Sequence, residues 1–199
     1  MEIYDFAERL AGPGAPLLLL FHGTGGNEHQ FMDLGAQLMP DAHLIAPRGD
    51  VSEGGALRFF RRLEEGVFDM ADLARATEKM AAFIAAAIEK SQPASVAALG
   101  YSNGANILAS VLFEHPGLID KAVIMHPLIP FAPKPQPGLA GTRVLITAGR
   151  RDPIAPAWTT QQLADFFTAQ GAQTQLVWHD GGHELRREEV LAAQALLAS

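Results

Sequence analysis

Ser102 stands in Gly100-Tyr101-Ser102-Asn103-Gly104, a Gly-x-Ser-x-Gly pattern. A serine hydroxyl becomes a useful nucleophile when a base takes its proton and an acid orients that base. Acyl transfer by such a group also needs backbone N–H donors aimed at the oxyanion that develops. The chain carries material for each role. Asp152 lies in Gly149-Arg150-Arg151-Asp152-Pro153, His183 follows Gly181-Gly182, and His22-Gly23-Thr24-Gly25-Gly26 is a glycine-rich loop.

The elements that must position these groups can be read around them. Ser95 to Leu99 is an apolar run that reads as a buried strand, and Ala105 to Glu114 reads as a helix. Strand, Gly-x-Ser-x-Gly, helix is the context of a nucleophile elbow. The turn is so tight that the serine takes a strained conformation, and the flanking glycines let neighbouring backbone pass close by. The Ser102 hydroxyl then sits at the positive end of the helix, where negative charge is better tolerated.

Further apolar runs read as strands over 17–21, 43–46, 122–125, 143–148 and 175–178, with an edge strand over 3–10. Helices are expected over 30–38, 70–90, 156–170 and 184–198. In the 70–90 segment, Met70, Leu73, Thr77, Met80, Ala81, Ile84 and Ile88 recur at three- and four-residue steps and make one apolar face. Continuous apolar strands alternating with helices imply an α/β fold, with a mainly parallel central sheet covered by helices on both faces. Ligands bind such sheets at the carboxyl ends of the strands. The candidate residues all fall on loops there. Residues 48–68 carry no clean period and read as one long loop, and the proline-rich 127–141 segment reads as irregular.

Among the seven histidines, His183 is best placed as the base, because it follows the last strand and precedes a helix. His126 and His179 remain candidates, while His29, His43 and His115 read as surface residues. Asp152 is the expected acid, and Asp180 is its rival on the neighbouring loop. The oxyanion donors are expected to be the N–H groups of Thr24 and Asn103. A phosphate-cradling loop is the alternative for 22–26, but the Lys-Ser/Thr end of a P-loop is missing. Phe59, Phe60 and Leu128 are expected to line the cleft, with His22 at its glycine-rich edge. Arg48, Arg58, Arg61 and Arg62 are placed to meet an anionic substrate group or to pair with Glu64, Glu65 and Asp69.

Composition narrows the class. The chain has 199 residues, 48% of them apolar, which is enough for one domain spanning 1–199 with a substantial core. A net charge of −7 argues against a nucleic-acid or anionic-membrane surface. There is no cysteine, hence no thiolate nucleophile and no disulfide. The spacing of histidines and acids suggests no metal site. The run Leu17–Phe21 is too short for a signal core or a membrane span, so a cytoplasmic location is expected.

Four motifs, in order, carry a family resemblance: residues 21–28, 100–106, 148–154 and 178–185. Together with Arg48-Gly49, residues 58–63 and Phe68-Asp69, they resemble a bacterial branch of the phospholipase/carboxylesterase family of α/β-hydrolases. The order serine, acid, histidine is the one α/β-hydrolases use. The resemblance implies a nearly capless serine hydrolase without cofactor or metal. It also implies action on carboxylic esters of small acyl groups, often as a homodimer, with a triad at Ser102, Asp152 and His183. Dienelactone hydrolases share the general shape but use cysteine, and the serine here counts against them. A thioesterase with the same machinery, and a hydrolase-like protein that binds a ligand with negligible turnover, are the alternatives.

Overall fold

Among residues 3–199, which the computed structural model describes, seven strands form one sheet. The edge strand β1 (Phe6–Arg9) is followed by the wholly buried β2 (Leu17–Phe21), helix α1 (Met32–Leu38) and β3 (His43–Pro47). Two small antiparallel pairs come next, β4 (Val51–Glu53) with β5 (Ala56–Arg58) and β6 (Arg62–Glu64) with β7 (Val67–Phe68). The chain continues through α2 (Met70–Ser91), β8 (Val96–Tyr101), α3 (Asn103–Glu114) and β9 (Lys121–Met125). It closes with β10 (Arg143–Gly149), α4 (Ala157–Ala169), β11 (Gln173–His179) and α5 (Arg187–Ala198).

The sheet order is β1-β3-β2-β8-β9-β10-β11, with β1 antiparallel to β3 and every other pair parallel. β2 shows why both faces are covered. Leu17, Leu19 and Phe21 pack on one side in a core shared with Phe83 of α2, Ile107 of α3 and Phe167 of α4. Leu18 and Leu20 pack on the other with Leu38 of α1 and Leu196 of α5. Burying one such side chain contributes about 1.5–3 kcal/mol. The long helix α2 is capped by Asp69, whose carboxylate accepts the Asp72 N–H at 3.0 Å. Its buried stripe includes Leu73, Thr77, Met80, Ala81 and Ile84, while Met70, in the first turn, is half exposed. Among the described residues no helix is long and apolar enough to cross a membrane.

Three local expectations are corrected. Residues 48–68 hold two hairpins, turning at Gly54-Gly55 and at Gly66, all with positive φ. Strands of two or three residues are too short to show a period. The 127–141 segment is irregular except for one 3-10 turn at Pro137–Leu139, where proline opens the turn and needs no N–H donor. His43 is buried rather than on the surface, and its Nε2 lies 2.9 Å from Glu8 Oε1 across the β1–β3 pair.

Candidate active site

The carboxyl ends of β8, β9 and β10 lie side by side, with Tyr101, Met125 and Thr147 in register. Chain leaving this level supplies the site. Ser102 is the N-cap of α3, with φ 53° and ψ −115°, a left-handed conformation that a non-glycine residue adopts at a cost of about 1–3 kcal/mol. Its own N–H is fixed by Met125 O at 2.9 Å. At Gly104 a Cβ would collide with the Phe21 and His22 carbonyl oxygens, so a glycine is required for α3 to start this close to β2.

Three of the predicted side chains are brought into one line. His183 Nε2 is 2.9 Å from Ser102 Oγ, and His183 Nδ1 is 2.6 Å from Asp152 Oδ2. The Asp152 side chain is completely buried and that of His183 is 17% exposed, so the histidine reaches solvent while the carboxylate does not. Asp152 Oδ1 accepts the Ile154 N–H at 2.8 Å and the Ala155 N–H at 3.0 Å. Burial pushes the Asp152 carboxyl toward its neutral form. The hydrogen bonds from His126, His183 and these two N–H groups outweigh burial and hold it well below the usual carboxylate range. Tyr101 Oη donates to the His183 carbonyl at 2.6 Å, pinning the loop; burial pushes that phenol up to about 12, so it stays a donor. The rival acid Asp180 points its 86% exposed side chain at Arg150 instead.

Thr24 and Asn103 flank the same cleft as Ser102. Among the described residues neither backbone N–H donates to another group. Thr24 is steadied by Arg58, whose Nη1 donates to its Oγ1 at 2.7 Å. Arg58 is itself buried, with Nε donating to Phe60 O at 3.2 Å and lying 3.4 Å from Glu53 Oε2 in an ion pair.

The cleft has a volume of about 270 Å³, and Leu128, Ile154, Phe68, Arg58 and Arg62 contribute to its walls. Leu128 is where it was expected, held by its N–H to Asn106 Oδ1 at 2.8 Å. Phe59 and Phe60 are corrected: both are fully buried in the core, because the bend between β5 and β6 turns their side chains inward against Phe21 and Phe68. His22 is also buried away from the cleft. Its Nδ1 is 2.7 Å from Gly23 O, its Nε2 accepts the Gly49 N–H at 2.9 Å, and burial pushes its pKa down. Of the arginines, Arg58 and Arg62 face the cleft, while Arg48 pairs with Glu28 and Arg61 with Asp69 and Asp72. Arg62 is held by Glu53 at 2.8 Å and by Glu65. A larger groove of about 330 Å³ beside Phe131 and Trp158 is lined by no acid or base.

Sequence reasoning missed Glu189. It sits in α5, among charged neighbours that read as a solvated face, yet it is fully buried. With His126 and His179 it places metal-capable atoms within 4.8 Å of one another, as do His126, Asp152 and His183, although the sequence spacing suggested no such set. In both sets the nitrogens and carboxylate oxygens already face complementary hydrogen-bond partners.

The parallel sheet, with a strained serine after β8 and loops after β10 and β11 meeting over it, is the α/β-hydrolase fold. Within it, the chain belongs to the dienelactone hydrolase family, whose model matches residues 50–189. It is 43% identical over 185 residues to the putative hydrolase MhqD of Bacillus subtilis (strain 168), covering 92% of each chain. Among solved structures, it matches Atu2452 of Agrobacterium tumefaciens str. C58, described as of unknown function, with TM-score 0.94 and 55% identity over 99% of this chain and 97% of that one. It matches the carboxylesterase of Bacillus cereus with TM-score 0.91 and 36% identity over 96% and 92%. The expectation that the serine counts against dienelactone hydrolases is thereby corrected. A serine at position 102 does not take the chain outside the dienelactone hydrolase family, whose model spans that position.

Proposed function

We propose that the protein is a serine hydrolase that cleaves small carboxylic esters through an acyl-enzyme. The observation that carries this reading is the continuous hydrogen-bonded line from Ser102 through His183 to Asp152, opening on a cleft. As Ser102 Oγ attacks the ester carbonyl carbon, His183 Nε2 takes its proton. Asp152 keeps the other ring nitrogen protonated and stabilises the imidazolium. The carbonyl oxygen becomes an oxyanion that accepts from the Thr24 and Asn103 N–H groups, aided by the N-terminus of α3. The tetrahedral intermediate collapses, the C–O bond to the alcohol breaks, and His183 returns the proton to the alcohol. Water then repeats the cycle on the acyl-Ser102 ester and releases the acid.

A cleft of about 270 Å³ lies just below the usual size of ligand sites, about 300–1,000 Å³, which favours short acyl groups. The structural relationship to a bacterial carboxylesterase supports the ester as substrate class. The test is reaction with a fluorophosphonate, mass mapping of the adduct, and hydrolysis of p-nitrophenyl acetate beside the palmitate ester. Stoichiometric labelling at Ser102 with faster turnover of acetate is expected. Folded protein that is not labelled refutes the nucleophile, and faster turnover of palmitate refutes the short-chain reading.

A further inference from the structure

His126 is a second imidazole on Asp152 that the mechanism above leaves without a task. It follows β9 directly, its N–H donates to Thr147 O at 2.8 Å, and its φ of 51° is left-handed. A non-glycine residue holds that conformation where its surroundings over-determine it, and such residues cluster at functional sites. The ring is completely buried. Nδ1 is 3.0 Å from Asp152 Oδ2, the same oxygen that His183 uses, and Nε2 is 2.9 Å from Glu189 Oε1. A carboxylate at each end favours a proton on both ring nitrogens; Nε2 also lies 3.4 Å from His179 Nε2.

Glu189 is equipped to stay ionised in this interior. Oε1 also accepts from Thr147 Oγ1 at 2.6 Å, and Oε2 accepts the Arg186 N–H at 2.7 Å. His179 completes the set. Its Nδ1 accepts the Gly181 N–H at 2.9 Å, so Nε2 carries the proton and lies 3.3 Å from Glu189 Oε2. The groups facing His126 are therefore Asp152, Glu189, Thr147, His179, His183 and, through its ring, Tyr101. A lone imidazolium beside Asp152 would cancel the negative charge that His183 needs when it takes the Ser102 proton. The Glu189 carboxylate removes that conflict, because the His126–Glu189 pair is neutral as a unit.

We propose that His126 is a positioning residue that clamps Asp152 for His183, and that Glu189 is the counter-charge that lets it do so without weakening the base. The proposal rests on the serine-hydrolase reading given above. Burial alone pushes His126 down, but the hydrogen bonds and charges of Asp152 and Glu189 overcome it and raise the pKa to about 9.

The first test needs no activity. In a long-range proton–nitrogen spectrum of the nitrogen-15-labelled protein at pH 8, His126 is expected to show two protonated ring nitrogens; one protonated nitrogen overturns the clamp. The second test compares pH profiles of kcat/KM for His126→Gln and Glu189→Gln. Each is expected to lose about ten- to a hundredfold in kcat, the scale of a misplaced catalytic group. Removing a positive charge whose ring lies 5.1 Å from that of His183 moves the acid limb to higher pH, and removing the negative charge moves it to lower pH. The displacement expected is about one pH unit each way for a partly screened unit charge. The double variant is expected to bring the limb back toward the wild-type position. Limbs that stay put, or move the same way in both variants, overturn the proposal. If neither variant folds, the wild-type spectrum decides. A wild type that neither labels at Ser102 nor turns over refutes the serine-hydrolase reading itself, a result distinct from a failed clamp.

Discussion

Gly149 and Gly182 lie against each other, with no room for a side chain between the end of β10 and the loop after β11. A Cβ on Gly149 would fall on the Gly182 and Gly181 carbonyl oxygens. This contact sets the Asp152 loop under the His183 loop, and it is reinforced where the Arg150 and Arg151 N–H groups donate to His179 O at 2.8 Å and Gly181 O at 2.9 Å. Gly149→Ala is therefore expected to cost about 1–3 kcal/mol of stability through overpacking against backbone. Its kcat should fall further than the unfolded fraction explains. Denaturant titration beside turnover of p-nitrophenyl acetate checks this.

Asp152→Asn keeps the shape of the buried side chain and removes its charge. The amide no longer stabilises the His183 imidazolium, and it presents a donor to one of two imidazole N–H groups. On the proposed reading, turnover is expected to fall by about four decades, as when the triad carboxylate of a serine protease is replaced. Retention of one-tenth of the wild-type rate would count against Asp152 as the orienting acid.

Stability should follow the ionisation of the buried cluster. His126 is raised from 6.5 to about 9, so its contribution is complete below about pH 6.5 and is lost as pH rises toward about 9. Asp152 and Glu189 are lowered by their hydrogen bonds, against the opposing effect of burial. Their contributions hold above the unfolded carboxylate range and are lost as pH falls through it. Urea midpoints should peak between these limits and decline toward pH 9, by on the order of 3 kcal/mol for the histidine. In His126→Gln the alkaline decline should flatten.

Phe59→Ala and Leu128→Ala should separate core from cleft. Phe59 is fully buried, so its truncation is expected to cost about 3–5 kcal/mol. Leu128 lines the cleft, and its truncation should change KM and acyl-chain preference more than stability. Melting curves and a series of p-nitrophenyl esters distinguish the two.

Arg58→Met removes the guanidinium that steadies Thr24 from a position with 4% exposure. A loosened oxyanion loop is expected to lower kcat about ten- to a hundredfold, less than the two to three decades typical of losing a donor outright. KM should change less than kcat.

The parts of this molecule that were legible in the sequence are those that repeat a backbone constraint. Ser102 could be placed because glycines two residues away on each side, between an apolar run and a helix, leave few other conformations. The sheet could be read because β2 and β8 are apolar without alternation, which a strand buried on both faces requires. Phe59 and Phe60 could not be oriented, since they lie in the bend between β5 and β6, where no period tells inward from outward. Glu189 was hidden for a different reason. A carboxylate on a terminal helix reads as solvent-facing until the histidines from β9 and β11 are known to meet it. The family was likewise not legible in the elbow motif, because its serine reads against a dienelactone hydrolase.

The hairpins β4–β5 and β6–β7 give the cleft one wall, and the sheet end supplies Ser102 and His183. That wall is tied down at Arg62 by Glu53 and Glu65, a partly exposed ion-pair cluster, rather than by strands of the main sheet. On the serine-hydrolase reading, reagent and selector are separate modules apart from Arg58, which steadies Thr24. Substrate range can then drift through the rest of residues 50–68 while the chemistry stays fixed, and a hairpin segment exchanged between relatives with Arg58 kept would carry its preference with it.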